Sequence, residues 1–203
     1  MELQPRFLAQ RAEAAMRFHF TDVRSLAFQT YYVRVTNDRA GFLQRPNFFQ
    51  EFKSQYALQG IDSAQLLQLE ASKPRMLRCV VRDHLVPLYR QYFADAVLTH
   101  AGLQVHKNLN SFFTKFVHTF RPEEYCALDN PIKELLGLKR ENFVSSFLAI
   151  SAAYQVWIQR HPHALDTLRS AVPPSAHGYS AQMTDVKLLD LYFWHRANKA
   201  GAP

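Results

Sequence analysis

The sequence predicts an all-α protein, and three observations lead to this prediction. Apolar residues recur at helical spacing along most of the chain, prolines and polar cap residues separate these segments, and alternating strand patterns are scarce. With 203 residues, 48% hydrophobic and 20% charged, the composition is that of a globular protein. We expect one domain, with a helical body over residues 1–172 and a linker and C-terminal helix over residues 173–203 that packs on the body.

Capping residues and prolines set the boundaries of the helices predicted in the N-terminal half. Asp22 falls in the first turn of one helix, Pro46 opens another, Asp62 caps a third, and Pro87 interrupts a long run. The expected helices cover roughly residues 6–18, a segment after Thr21, and residues 46–56, 62–69 and 74–98, the last kinked or divided at Pro87. Residues 31–35 are the best strand candidate, although they equally fit the end of a helix.

One helix in the C-terminal half has a continuous apolar stripe. The stripe follows the spacing i, i+3, i+4, i+7, i+8 and i+11 after a candidate N-cap at Asn108, and it consists of Leu109, Phe112, Phe113, Phe116, Val117 and Phe120. Its opposite face is polar and basic. Further helices are expected over residues 131–136, 140–159 and 185–197, and prolines and glycine make residues 172–180 a linker.

The charge of the chain favours an anionic partner. Lysine and arginine number 24 against 17 acidic residues, which gives a formal net charge of +7, and arginines outnumber lysines by 16 to 8. Nucleic acid is the most common partner of so basic a chain. Two cysteines, Cys79 and Cys126, are too few for a disulfide framework or a cysteine-based zinc site, and both are expected to be buried apolar residues.

The segment after the apolar-striped helix ends in an aspartate that opens the next predicted helix. Pro122 forces a turn after Phe120, and a short apolar stretch over residues 125–128 leads to Asp129 and then Asn130-Pro131. A carboxylate at a helix start meets free backbone N–H groups and the positive end of the helix dipole. Asp129 is therefore either an N-cap or a functional carboxylate, and the spacing leaves both open.

This order of helix, turn, apolar stretch and aspartate resembles the catalytic segment of the helix-hairpin-helix DNA glycosylase superfamily, over about residues 100–139. The resemblance implies that Asp129 stabilises the positive charge that develops on the deoxyribose and orients the attacking water, as a fixed carboxylate does in glycosidases. The region before the helix contains Gly102 and no second glycine, and it has no lysine at the place of the family's nucleophile, near Asn110. The expected activity is therefore that of a monofunctional hydrolase that removes a damaged or modified base from DNA.

Further residues complete this hypothesis. Basic side chains on and around the helix are candidate contacts to DNA phosphates, namely Lys107, Lys115, His118 and Arg121. A flipped base needs aromatic or apolar neighbours, and the candidate pocket residues are Tyr125, Tyr154 and Trp157. Aromatic residues at helical spacing are more often part of the core, so this reading stays open beside the pocket.

Two alternative functions fit the same sequence. A helical protein could bind nucleic acid through its basic helix without catalysis, with Asp129 acting only as a cap. Arg78 and His84 also have the spacing of the active-site arginine and histidine of HEPN ribonucleases, which these residues resemble. The position after Arg78 is Cys79, where that family usually has a polar residue.

Other partners and cofactors are not expected. The histidines at positions 161, 163, 177 and 195 lack a carboxylate or cysteine at a metal-site spacing, so no metal or other cofactor is predicted. The most apolar stretch, residues 143–158, is too short and too polar to cross a membrane, and we expect a cytoplasmic protein. The apolar stripe of the last helix, Leu188, Leu189, Tyr192 and Phe193, is buried either within the chain or by self-association.

Overall fold

The structure is a computed structural model that describes residues 5–56, 58, 61–100, 103–128, 132 and 142–200. These residues form ten α-helices, two 3-10 turns and one β-hairpin. The helices are α1 (Pro5–Thr21), α2 (Val23–Asn37), α3 (Phe48–Gln55), α4 (Ser63–Val81), α5 (Leu85–Tyr92), α6 (Asn110–Phe120), α7 (Phe143–Arg160), α8 (Pro162–Ser170), α9 (His177–Ser180) and α10 (Asp185–Ala200). The hairpin strands are β1 (Ala96–His100) and β2 (Leu103–Lys107), and the 3-10 turns are Arg39–Leu43 and Pro174–Ala176. The all-α prediction is confirmed.

Helix α6 runs through the core. Every residue from Phe112 to Phe120 except Lys115 is buried. Its phenylalanines contact aromatic rings from several other elements, with centroid distances of 4.7 Å between Phe42 and Phe120 and 5.1 Å between Phe52 and Phe112. The apolar stripe is thus in the core, as its spacing predicts. The opposite face is also buried at Thr114, His118 and Thr119, which corrects the expectation of a polar face open to solvent or DNA.

The C-terminal helix α10 packs within the chain, against α1, α7 and α8. Its apolar stripe, Leu188, Leu189, Tyr192 and Phe193, is at most 2% exposed. The backbone oxygen of Leu191 contacts Nε2 of His19 on α1 at 2.9 Å, and Nδ1 of His19 lies 2.8 Å from the hydroxyl of Ser25. These contacts bury the stripe in cis, so it offers no free surface for the self-association that the sequence left open.

One predicted boundary is wrong, and one open alternative is decided. Helix α4 continues through Pro74, where the sequence placed a break between two helices. The proline removes one backbone hydrogen bond, and the burial of Leu69, Met76 and Val80 on one side of α4 holds the helix together across it. For residues 31–35 the sequence left a strand and a helix end open, and the helix end is correct, because these residues are helical near the end of α2.

The sequence does not predict the β-hairpin, because the run from Pro74 to Leu98 favours a helix that is kinked or divided at Pro87. The antiparallel register pairs Ala96 with Lys107 and Leu98 with Val105. All five residues of β2 are exposed, and the first four alternate apolar and polar, which is the pattern that could have revealed a strand. Asn108 does not cap α6; its side chain instead accepts a 2.8 Å hydrogen bond from the backbone N–H of Asp95. The element directly before α6 is the hairpin of β1 and β2.

Candidate functional site

The site is built around the backbone that follows α6, residues 121–128. Pro122 ends the helical hydrogen bonding, residues 122–124 form a turn, and residues 125–128 have no regular secondary structure. Pro122, Cys126, Ala127 and Leu128 are nevertheless buried. A buried irregular segment must satisfy its backbone polar groups through side chains, because it has no helix or sheet to do so.

Side chains on α6 and α7, together with Thr184 just before α10, supply those partners. The hydroxyl of Thr184, just before α10, donates to Pro122 O at 2.9 Å, and Gln155 on α7 donates to Glu123 O. Nδ1 of His118 contacts Tyr125 O, and the hydroxyl of Thr114 donates to Leu128 O at 2.7 Å. We call the residues Thr114, His118, Ser151, Gln155 and Thr184 the anchor side chains. The remaining anchor side chain, Ser151, accepts a 3.2 Å hydrogen bond from the backbone N–H of Cys126.

His118 is the most constrained of the anchor side chains. It is 1% exposed, and its ring stacks on Tyr32 with a centroid distance of 5.3 Å. Burial, followed by the charge of Lys187, lowers the pKa of His118 to about 3, although the hydrogen bond to Tyr125 O opposes this shift. The ring is therefore neutral at physiological pH, with a proton on Nδ1. His118 was predicted to contact a phosphate, but here it is a buried neutral donor that positions backbone.

Arg121 is exposed enough to reach solvent, but carboxylates already surround it. Its guanidinium forms ion pairs with Glu124 and with Asp83, the latter at 2.9 Å, and it lies 5.2 Å from the centre of the Tyr125 ring. The second ring contact of Tyr125 is Phe147, stacked at 5.5 Å, and its hydroxyl donates to Asp83 at 2.6 Å. Burial and this hydrogen bond raise the pKa of Tyr125 to about 12. The residue predicted to stack on a base is thus already engaged by intramolecular contacts.

Asp83 joins this polar cluster to the end of α4 through an unusual backbone conformation. Its φ is 59°, in the left-handed region, and its N–H bonds to Val80 O while the N–H of His84 bonds to Cys79 O. These two bonds form a Schellman motif, whose left-handed position is usually glycine. An aspartate at this position retains the hydrogen bonds that end α4 and adds a carboxylate that contacts Arg121 and Tyr125.

The remaining predicted residues are spread over the molecule. Lys107 is exposed at the end of β2 and Lys115 is partly exposed in the middle of α6. Tyr154 and Trp157 on α7 are 0% and 6% exposed, and Tyr154 packs on Phe193 at 5.5 Å. In this structure both rings fill the core and are not open to a flipped base, in keeping with the core reading of aromatic residues at helical spacing.

Asp129, the predicted catalytic carboxylate, lies outside the described residues, as does most of the helix expected over residues 131–136. The last described residue before it, Leu128, is fully buried and held by Thr114. In the alternative pair, Arg78 is exposed just before the Schellman motif and His84 is exposed at its end, and no hydrogen bond joins the two side chains.

The described residues contain neither a metal-binding cluster nor a helix that could span a membrane. No group of three or more histidine, cysteine, aspartate or glutamate side chains could hold a metal ion there. No helix in that part of the chain is both long and apolar enough to cross a membrane.

Comparisons with protein families, with curated proteins and with solved structures find no match for this chain. The site must therefore be interpreted from its own geometry.

Proposed function

We propose that this protein is a DNA glycosylase-like hydrolase that removes a damaged or modified base by cleaving the N-glycosidic bond, with Asp129 as the catalytic carboxylate and water as the nucleophile. The observation that carries the proposal is the anchoring of the backbone directly before Asp129. The hydroxyl of Thr114 fixes Leu128 O, and His118 and Ser151 fix the two residues at the start of the same apolar stretch.

Such anchoring is what an electrostatic catalyst requires. Cleavage of the glycosidic bond develops positive charge on the sugar, and a carboxylate stabilises that charge best when it is held in place before the reaction. Removal of one preorganised electrostatic group typically slows an enzyme by about 10²- to 10³-fold. The anchor side chains are positioning residues in this scheme, because they touch the backbone and not the substrate.

The test is release of free base from damaged, mismatched and naturally modified duplexes, followed by alkali cleavage of abasic sites. Asp129→Asn should lower base release by at least about 10²-fold while binding to DNA is retained. Asp166→Asn, the same change at a carboxylate that is 75% exposed on α8, is the matched control and should release base at the parent rate. No base release by the parent across these substrates would refute the proposal.

A second variant separates positioning from stability. Thr114→Val keeps the shape of the side chain and removes its hydrogen bond to Leu128 O. We expect base release to fall while binding to DNA is unchanged. Thr36→Val is the control, because the buried hydroxyl of Thr36 bonds only within its own helix, to Tyr32 O and Val33 O. Equal activity of the two variants would show that Thr114 does not position the site.

A further inference from the structure

One face of α4 is exposed along its whole length and ends in three arginines. Six exposed residues follow one another along this face at alternating spacings of four and three positions. They are Ala64, Gln68, Ala71, Arg75, Arg78 and Arg82. This spacing places them on one stripe of the helix. We call Arg75, Arg78 and Arg82 the arginine ridge.

Among the described residues, no acid neutralises the positive charge of the arginine ridge. Glu70 is the only acidic residue within α4, and it lies off the stripe, where it binds Lys73 and the backbone N–H of Phe49. The next acid along the chain, Asp83, is held by Arg121 and Tyr125. The three guanidinium groups form no ion pair or side-chain hydrogen bond with any residue in the described ranges, unlike the paired arginines elsewhere in the chain.

We propose that the arginine ridge binds the phosphate backbone of a nucleic acid. Arg82, the C-cap of α4, lies seven positions after Arg75, which corresponds to a rise of about 10 Å. Phosphates along one strand of duplex DNA advance by about 3.4 Å, so the ridge spans about three of them. The guanidinium fork also suits phosphate oxygens, to which it donates two parallel hydrogen bonds.

The composition of the stripe favours nucleic acid over a membrane surface. A helix that lies on a membrane buries a broad apolar face beside its basic residues. The large exposed apolar residues of α4 are Leu67 and Val81, 66% and 71% exposed. They are 14 positions apart, or about 20 Å along the helix, so they do not form one apolar face. The inference rests on the proposed function only for the choice of nucleic acid, and it does not require base removal.

The experiment measures binding of a fluorescein-labelled duplex by anisotropy at several salt concentrations. Three phosphate contacts contribute about −2.7 to the slope of log K against log salt, which corresponds to about a 40-fold loss of affinity between about 50 and 200 mM salt. The variant Arg75→Gln, Arg78→Gln, Arg82→Gln should lose most of that contribution and bind more weakly at low salt. Its melting temperature should match the parent because all three side chains are exposed.

The control changes the formal charge by the same amount at arginines that already have partners. Arg17, Arg34 and Arg45 form ion pairs with Glu13, Glu51 and Asp38. The triple glutamine variant at these positions should keep the parent salt slope. If it loses as much slope as the ridge variant, binding follows net charge and the ridge is not a site.

Two further arms separate the outcomes. Tighter binding of the parent to vesicles with anionic headgroups than to DNA, lost in the ridge variant, would overturn the assignment to nucleic acid. Asp129→Asn should retain the full salt slope. If the parent releases no base but the ridge variant loses DNA affinity, the proposed function fails and the arginine ridge stands. An unchanged salt slope in the ridge variant overturns the ridge whatever the activity of the parent.

Discussion

The buried histidines make a quantitative prediction about stability in acid. His118 and His19 are 1% and 3% exposed, and each has a pKa of about 3 instead of 6.5. Burial is the main cause for both, and the charge of Lys187 adds to it. Lys115 also faces His118, while His195 and Asp22 face His19.

The direction of the effect follows from proton binding. Between about pH 6.5 and pH 3 the unfolded chain binds a proton at each of these rings and the folded chain does not. Stability contributed by the neutral rings is therefore present above pH 6.5 and is lost as the pH falls through this window. Each histidine contributes a slope of about 1.4 kcal/mol per pH unit, or about 5 kcal/mol over the whole window. Summed over the two histidines, this loss of stability is comparable to the whole free energy of unfolding of a typical domain.

His118→Asn removes the titrating ring and keeps an N–H where Nδ1 donates to Tyr125 O. The free energy of unfolding is measured in urea at several pH values and plotted against pH. Between about pH 4 and pH 6 the slope for the variant should be smaller than the slope for the parent by about 1.4 kcal/mol per pH unit. Contributions from carboxylates are common to both proteins and cancel in the difference. His163→Asn is the control, since that side chain is 99% exposed, and its slope should equal the parent slope. Parallel plots for the parent and His118→Asn would refute the reasoning.

Two further predictions concern the core and the end of α4. Phe116→Ala should lower the free energy of unfolding, measured in urea, by about 3–5 kcal/mol. The reason is that this fully buried ring packs against Phe42, Phe49, Phe93 and Phe120. Val156→Ala is the control, and at a 44% exposed position it should cost less than about 0.5 kcal/mol. Asp83→Ala should be less stable than Asp83→Gly by about 1 kcal/mol. Both variants lose the contacts to Arg121 and Tyr125, but only glycine adopts a φ of 59° without strain. Equal melting temperatures of the two variants would argue against backbone strain at this position.

Local patterns predicted the helices well where they had both an apolar stripe and a cap. The stripe of α6 is in the core, and Asp22 and Asp62 cap α2 and α4 through side-chain hydrogen bonds to Ser25 and Gln65. These features depend on residues three or four positions apart, which the sequence displays directly. Pro74 misled the prediction because a proline removes one local hydrogen bond, while tertiary packing decides whether the helix survives.

The candidate site was less predictable because its residues come from distant parts of the chain. His118 and Thr114 read as a polar face, yet both are buried and bond to backbone seven and fourteen residues away. Arg121 read as a free cation, yet Asp83, 38 positions earlier, pairs with it. The arginine ridge was visible in the sequence only as part of the net charge, since its significance depends on which acids lie beside it.

The sequence by itself determined the all-α class, the helical core around α6 and the excess of positive charge, because composition and short-range periodicity encode all three. Only the tertiary structure decided which polar groups are buried and which charges remain exposed and unpaired. The physical reason is that burial and ion pairing depend on contacts between helices. Such contacts turn His118 into a neutral anchor, engage Arg121 with carboxylates and leave the charge of the arginine ridge exposed.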